Sequence, residues 1–182
     1  MKLTNISAFL LSLIALPMFC ACGSDDEPAA PAPVAPPTDG IASVTYGGST
    51  IITNNVDQSA TTNTEMTYTC SFDTSVTPYT MTLTMHNANF GSGMPVKLEI
   101  EIPDIPLQVT GTDTYSFFVT SLTPLSGGVP QSAVPISNFA GTVAVGANAS
   151  LTFNFDIAVG FMRPTPGDFT VTAAGLLPVA AN

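Results

Sequence analysis

Apolar and polar residues alternate one by one along four stretches of this chain. In the first of them Met66, Tyr68, Cys70 and Phe72 alternate with a glutamate, two threonines and a serine. Successive side chains of a β-strand point to opposite faces, so each stretch is predicted to be a strand with one buried and one solvated face, as antiparallel sheets have. The four stretches are 65–72, 79–87, 97–102 and 151–157.

Weaker alternation extends this pattern over most of the chain after residue 40. Short turns rich in Gly and Pro separate the candidate strands, and the sequence has no apolar repeat of the period that indicates a helix. About eight to ten strands joined by short turns predict an all-β fold, a small antiparallel β-barrel of about eight strands, with a β-sandwich as the alternative. The further candidate strands are 41–53 with a bend at Gly47-Gly48, 105–109, 113–121, 137–145 and 168–174.

The first 21 residues have a different pattern, which is typical of a secretory signal peptide. A single lysine precedes the apolar run Phe9–Leu16, which is too short to span a membrane. Ala21-Cys22 resembles the lipobox of bacterial lipoproteins, in which a small residue precedes the cysteine that takes the lipid. Cys20 instead follows a bulky phenylalanine, and a disulfide to Cys22 is disfavoured because one residue separates the two. Cys22 is therefore the predicted lipidation site, and residues 1–21 are expected to be removed.

Residues 22–40 are predicted to tether a single folded domain, residues 41–182, to the membrane. The acidic run GSDDE at 23–27 resembles the export signal of Bacteroidetes surface lipoproteins, which implies a lipoprotein of the outer membrane exposed at the cell surface. A solvated spacer on a periplasm-facing lipoprotein is the alternative. Residues 28–37 contain five prolines, which favour the extended polyproline II conformation. The tether can therefore hold the domain up to roughly 50 Å from the bilayer.

Composition and charge exclude some classes of partner. Only 9% of the residues are charged, and the formal net charge is −10 at pH 7. A chain without a basic patch cannot neutralise phosphates, so nucleic acid is not an expected partner. The sequence contains no calcium-binding loop of the DxDxDG type, and neither a metal nor a cofactor is predicted.

Two segments together resemble the calycin-like domains of Bacteroidetes lipoproteins. They are MHNANFGSGMPVKLEIEIPDI at 85–105 and ISNFAGTVAVGANASLTFNFDIAVG at 136–160, with an Asn-Phe step, a Gly-Met-Pro turn and a later GTV…LTF…D hairpin. The resemblance covers about residues 41–175 and implies a small antiparallel barrel of about eight strands, related in shape to lipocalins. It brings no catalytic residues with it, and the chain, which has no Trp, lacks the Gly-X-Trp motif of lipocalins.

Candidate catalytic residues are few. His86 is the only histidine and lies on the polar face of a predicted strand. It is more simply interpreted as an exposed strand residue than as part of a Ser-His-Asp site. Cys70 alternates with apolar residues and is expected to be an inert buried thiol. Glu99 and Glu101 point the same way on one strand, where the two carboxylates could serve glycoside hydrolysis or, together with Asp104 and a backbone carbonyl, bind calcium. A solvated strand face is the simpler interpretation, and no enzymatic activity is predicted.

Aromatic and apolar residues outside the alternation are the remaining candidates for ligand contacts. Phe118 falls on the opposite face from Tyr115 and Phe117, and Phe161 and Met94 lie next to turns. Exposed rings stack on sugar faces, although such residues can also cover the end of a barrel. The predicted function is a non-enzymatic binding or accessory module at the cell envelope, with a glycan, a small apolar molecule or a protein as ligand. The alternative is a structural or adhesin-like envelope subunit that associates through strand edges, for which the terminal strands 41–53 and 168–174 are the candidates.

Overall fold

A computed structural model of the chain describes residues 43–91, 94, 96–159 and 168–180. These residues form thirteen β-strands and one short 3-10 turn at Gly146–Asn148, and no helix among them has the length and apolar character that a membrane crossing requires. The all-β prediction is therefore confirmed. The strands are β1 (Ser43–Gly47), β2 (Thr50–Asn54), β3 (Ala60–Asn63), β4 (Thr67–Asp73), β5 (Thr80–Ala88), β6 (Leu98–Pro106), β7 (Gln108–Gly111), β8 (Thr114–Leu122), β9 (Leu125–Ser126), β10 (Val129–Pro130), β11 (Ile136–Ala144), β12 (Ser150–Ala158) and β13 (Asp168–Pro178).

Several of these strands continue one another with only one to three residues between them. The break between β1 and β2 falls at Gly48, as the bend predicted at Gly47-Gly48 requires. Its φ of +152° is one that side chains rarely adopt, and a Cβ there would lie 3.0 Å from Leu176 Cδ2. When β1–β2, β3–β4, β6–β7 and β8–β9 are each taken as one run, the strands of the described residues form eight runs, and β10 is an appendage that pairs with β9.

The eight runs form an antiparallel meander whose last member pairs with its first. Each run pairs with the next along the chain. The two halves of β13 then close the ring: Phe169 pairs with Asn54 of β2, and Leu177 pairs with Gly47 of β1. All thirteen strands belong to one sheet rather than two. The small barrel is therefore confirmed, and the sandwich is not observed.

The ring has one weak seam, between β6–β7 and β8–β9. Glu101 pairs with Leu125 at one end and Gln108 pairs with Ser116 at the other, but no backbone ladder joins the residues between these pairs. The sequence of β6 explains the gap, because Pro103 and Pro106 have no N–H group to donate. Proline is tolerated at strand positions whose backbone N–H would point away from a paired neighbour. β6 therefore keeps its ladder with β5 and has no continuous ladder with β8.

Inward-facing side chains fill the barrel. Eight strands enclose an interior just wide enough for side chains, and here a cluster of phenylalanines occupies its middle. The ring centroids of Phe139 lie 6.0 Å from Phe153 and 5.8 Å from Phe155, and Tyr68 reaches Phe153 from the opposite wall with centroids 4.9 Å apart. The apolar faces predicted from the alternation are the buried ones, including Met81, Leu83, Phe153 and Phe155, each at most 1% exposed.

Candidate functional site

Aromatic side chains occupy the middle of the interior, and among the described residues two grooves lie on the outside of the barrel. One of them is a groove of about 560 Å³ beside the seam. Its walls come from the turn before β5, the junction of β6 with β7, and β8. We call this surface the Phe118 groove, and it is lined by Pro78, Pro106, Leu107, Gln108, Ser116, Phe117 and Phe118.

Phe118 lies in the groove because the alternation of β8 turns it away from the core. Tyr115 and Phe117 point inward and are at most 4% exposed, whereas Phe118 is 62% exposed. Gly141 of β11 pairs with Phe117 and leaves room for that inward ring, since a Cβ at Gly141 would lie 2.6 Å from Phe117 Cζ. The neighbouring ring Phe118 is therefore an apolar surface held open to solvent by the packing beneath it.

The surroundings of Phe118 are polar but uncharged. Gln108 of β7 pairs directly with Ser116 of β8, and both side chains lie on the outer face two residues from the level of the ring. Within residues 96–159 neither side chain makes a hydrogen bond to another protein group. Both therefore have donors and acceptors available to a ligand. None of the residues that line the groove is charged.

A second and larger groove, of about 900 Å³, lies on the outer face of β1, β4, β5 and β6 around His86. A chain of side-chain contacts crosses it. Thr45 Oγ1 and Thr69 Oγ1 are 3.0 Å apart, Thr69 Oγ1 and His86 Nε2 are 2.9 Å apart, and His86 Nδ1 and Glu99 Oε2 are 3.4 Å apart. Lys97 at the edge of this groove forms an ion pair with Glu65, which lowers the pKa of that carboxyl group.

The order of hydroxyl, imidazole and carboxylate in this chain is the order that acyl transfer by a triad requires. Two features separate it from such a site. Thr69 is paired on one side with Thr45 and on the other with Thr84, so the ladders occupy the backbone N–H groups that could stabilise an oxyanion. Glu101 does not line the groove with His86 and Glu99. The polar groups of this groove mainly satisfy one another.

The structure separates the residues that the sequence analysis selected. It brings Phe118 to a groove, and it buries Cys70, whose thiol pKa is raised by burial. Met94 was selected as a turn residue, but it is only 7% exposed and its Sδ accepts a hydrogen bond from the Phe90 N–H, so it offers no surface to a ligand. Phe161 and Cys22 lie outside the described residues.

The sequence does not reveal Gln108 and Ser116 as groove residues, nor the hydroxyl groups of Thr45 and Thr69 that lie next to His86. Periodicity assigns a residue to a face of a strand, but it does not identify the neighbours of that residue on other strands. The signal for the groove was present in the two prolines of the strand that precedes Gln108, which indicate a strand with one unpaired side. Within the described residues no three side chains of His, Cys, Asp or Glu come together to hold a metal ion. Comparison with protein-family models, with curated proteins and with solved structures gives no match.

Proposed function

We propose that this protein is a lipoprotein of the outer membrane, anchored through a lipid on Cys22 and exposed at the cell surface. The proposal is supported by the apolar run of residues 1–21, by the small residue before Cys22 and by the acidic and proline-rich segment that follows. An anchor of this kind leaves the barrel free in the aqueous space beside the membrane. Attachment facing the periplasm is the alternative orientation.

Labelling of live cells with a palmitate analogue tests the anchor. Cys22→Ser is expected to abolish incorporation of the label, and Cys20→Ser is the matched control that should leave it intact. Loss of the label in Cys20→Ser alone would contradict the assignment. Digestion of intact cells with an external protease then separates the two orientations, because only a surface-exposed barrel is removed before the membrane is permeabilised.

The barrel acts as a non-enzymatic binding module that holds its ligand on the outside, at the Phe118 groove. One observation carries this proposal: aromatic side chains fill the middle of the interior, while Phe118, 62% exposed, lines an uncharged groove of about 560 Å³. That volume is in the range of ordinary ligand sites. An exposed aromatic ring beside polar side chains that make no hydrogen bond within residues 96–159 offers a ligand both an apolar face and hydrogen-bonding groups.

A retention screen of the full-length protein, purified in detergent, tests this function. The protein is passed over immobilised neutral polysaccharides, long-chain fatty acids and linear peptides, in parallel with Phe118→Ala. Retention of the protein by at least one class, lost in Phe118→Ala, is the expected result. Retention that Phe118→Ala leaves unchanged, or no retention by any of the three classes, would contradict a ligand site at Phe118.

A structural subunit that associates through strand edges is the second candidate, and the short strand β3 favours it. Among the strands that the structure describes, β3 (Ala60–Asn63) pairs with β2 alone, and it carries no charge, so its other edge has no strand partner among them. The terminal strands that the sequence suggested are not free, because β2 pairs with β13. If β3 joins copies of the chain, Thr62→Lys should shift the sedimentation of the protein from an oligomer to a monomer. A wild-type monomer at all concentrations would argue against this function.

A further inference from the structure

Resting on the binding function proposed above, we propose that the ligand of the Phe118 groove is a neutral glycan. One sugar ring stacks its C–H face on the Phe118 ring, and its hydroxyl groups bond to the side chains of Gln108 and Ser116. The inference names the chemical class of the ligand, which the binding function alone leaves open.

The chemistry of a pyranose ring matches what the groove offers. Such a ring is apolar on one face and carries hydroxyl donors and acceptors around its rim. It therefore needs a flat apolar surface with uncharged hydrogen-bonding groups beside it. Phe118 provides the surface, since aromatic side chains bury large areas and present a π face. The paired residues Gln108 and Ser116 lie on the same face as Phe118 and two residues from it along β8, which is a spacing of about 6.5–7 Å along the strand. Their amide and hydroxyl groups can both donate and accept.

The outer face of the barrel extends this composition beyond the groove. Ser116 pairs with Thr142 of β11, and Thr142 pairs with Thr152 of β12, so a row of uncharged polar side chains crosses four strands from Gln108. Strands are spaced about 4.8 Å apart, and the row is thus roughly 14 Å long. Beside it, Phe118 pairs with the small Ala140, so the ring stays accessible from that side. A chain of several sugar units can lie across these strands.

The absence of charge from the groove selects a neutral glycan. None of its lining residues is an acid or a base, and the chain as a whole carries a net charge of −10. An anionic polysaccharide would be repelled by that net charge and would find no cation in the groove. A neutral glycan meets no such electrostatic penalty there.

The two other ligand classes fit the groove less well. A fatty acyl chain requires an enclosed apolar cavity, and the interior that could provide one is packed by Phe139, Phe153 and Phe155. An extended peptide would need to add a strand at the open side of β6, where Pro103 and Pro106 offer no N–H group to it. The groove therefore favours a ligand that binds by stacking and by side-chain hydrogen bonds.

Affinity electrophoresis of the full-length protein tests the inference. The protein migrates through native detergent gels that contain glycogen, laminarin or galactomannan, with polygalacturonate as the anionic comparison. Retardation by at least one neutral polysaccharide and not by polygalacturonate is expected. A wider array of neutral glycans covers other linkages, and binding to none of its members would overturn the inference.

Variants at Phe118 distinguish stacking from unspecific apolar contact. Phe118→Tyr keeps the flat ring and should bind within about twofold of the wild type, whereas Phe118→Leu and Phe118→Ala should weaken binding at least tenfold. Gln108→Ala should weaken it by a smaller factor. Leu177→Ala is the matched control, because Leu177 of β13 is also 62% exposed but lies outside the groove.

The outcomes separate this inference from the binding function on which it rests. Full binding by Phe118→Leu, or equal retardation by polygalacturonate, overturns the neutral glycan. Retention of the protein only by fatty acids or only by peptides, lost in Phe118→Ala, also overturns it but leaves a binding module in place. If no ligand class retains the protein, both the neutral glycan and the binding function at the Phe118 groove are overturned.

Discussion

Phe117 and Phe118 are neighbours in sequence and both border the groove, yet Phe117 is buried in the core and Phe118 is 62% exposed. The alternation of β8 predicts this difference, because Tyr115 and Phe117 share a face and Phe118 does not. What the alternation cannot predict is which residues of other strands stand beside Phe118. Gln108 reaches it through the register of β7 with β8. Register depends on turns and bulges as well as on the sequence of either strand.

Among the glycines of the described residues, Gly141 has the least room for a side chain. A Cβ at this position would lie 2.3 Å from Thr152 O and 2.9 Å from Phe153 Cα, and backbone atoms cannot move aside as a side chain can. Gly141→Ala should therefore lower the free energy of unfolding by about 3 kcal/mol or more. Gly111→Ala is the control, since its nearest contact is at 3.8 Å. Urea denaturation of both variants measures the difference, and equal midpoints would contradict the predicted clash.

Tyr68 makes the barrel less stable at alkaline pH. Burial raises the pKa of Tyr68 to about 12, against about 10 in the unfolded chain, although a hydrogen bond with Thr50 opposes this shift. The folded state thus holds the proton more tightly. The resulting stability is complete below pH 10, falls as the pH rises further, and is lost above pH 12. Burial also raises the pKa values of Tyr46 and Cys70, so both groups act in the same direction.

Urea unfolding at pH 8 and pH 11 measures this dependence. The wild type should lose free energy of unfolding between the two values, with Tyr68 contributing up to about 3 kcal/mol over its full range. Tyr68→Phe should start lower, because it loses the hydrogen bond with Thr50, and should then lose less between pH 8 and pH 11. A steeper loss in the variant would contradict the assignment of the effect to Tyr68.

At the scale of elements, the predicted strands are largely the observed ones, and the differences have local causes. The candidate strand 105–109 spans the junction of β6 with β7, where Pro106 ends one strand. Asp104 has a φ of +53°, and Ile102 and Ile105 on either side of this irregularity both point inward. Period two assigns those two residues to opposite faces, so a bulge of this kind is not visible in the alternation. β3 was not predicted because its residues, ATTN, contain no large apolar side chain.

The seam between β6–β7 and β8–β9 should open before the rest of the barrel. Residues 102–106 and 117–122 keep a ladder on one side only, with β5 and β11 respectively, whereas β12 is bonded to β11 and β13 along both sides. Peptides from these two segments should exchange their amide hydrogens faster than peptides from β12, because local opening there breaks fewer hydrogen bonds. Equal protection measured by mass spectrometry would mean that the seam is closed in solution.

At the scale of the whole molecule, the sequence predicts a barrel of about eight strands, whereas the described residues form thirteen; interruptions within the strands account for the larger number, since the thirteen group into eight runs and the appended β10. Closure itself depends on contacts between residues more than 100 positions apart, such as Thr53 with Thr170, which no local pattern contains. The same limit applies to the series of side-chain contacts that links Thr45 to Glu99, because its four side chains come from four different strands. Periodicity placed His86 on the polar face but could not show that its two ring nitrogens find partners there.

The packed interior should make the barrel unfold as one unit. Phe153 contacts Tyr68 across the barrel as well as Phe139 and Phe155 beside it. Phe153→Ala should therefore lower the free energy of unfolding by about 3–5 kcal/mol and keep a single transition. Phe118→Ala removes the same side chain from the surface and should change stability by less than about 1 kcal/mol. Equal losses in the two variants would mean that the interior is not packed as described.

The double pairing of β1 also decides how the protein responds to a mechanical pull. Ser43–Gly47 is held by β4 along one side, and on the other side by β13 and by the Val179 N–H, which donates to Thr45 O. Hydrogen bonds of an antiparallel sheet run perpendicular to the strands. Tension applied at residue 43 along the strand therefore loads these bonds together, in shear, instead of breaking them one after another as in the opening of a zipper. If the chain is tethered through its N-terminal segment as proposed, a pull on a bound ligand would be resisted at this first strand.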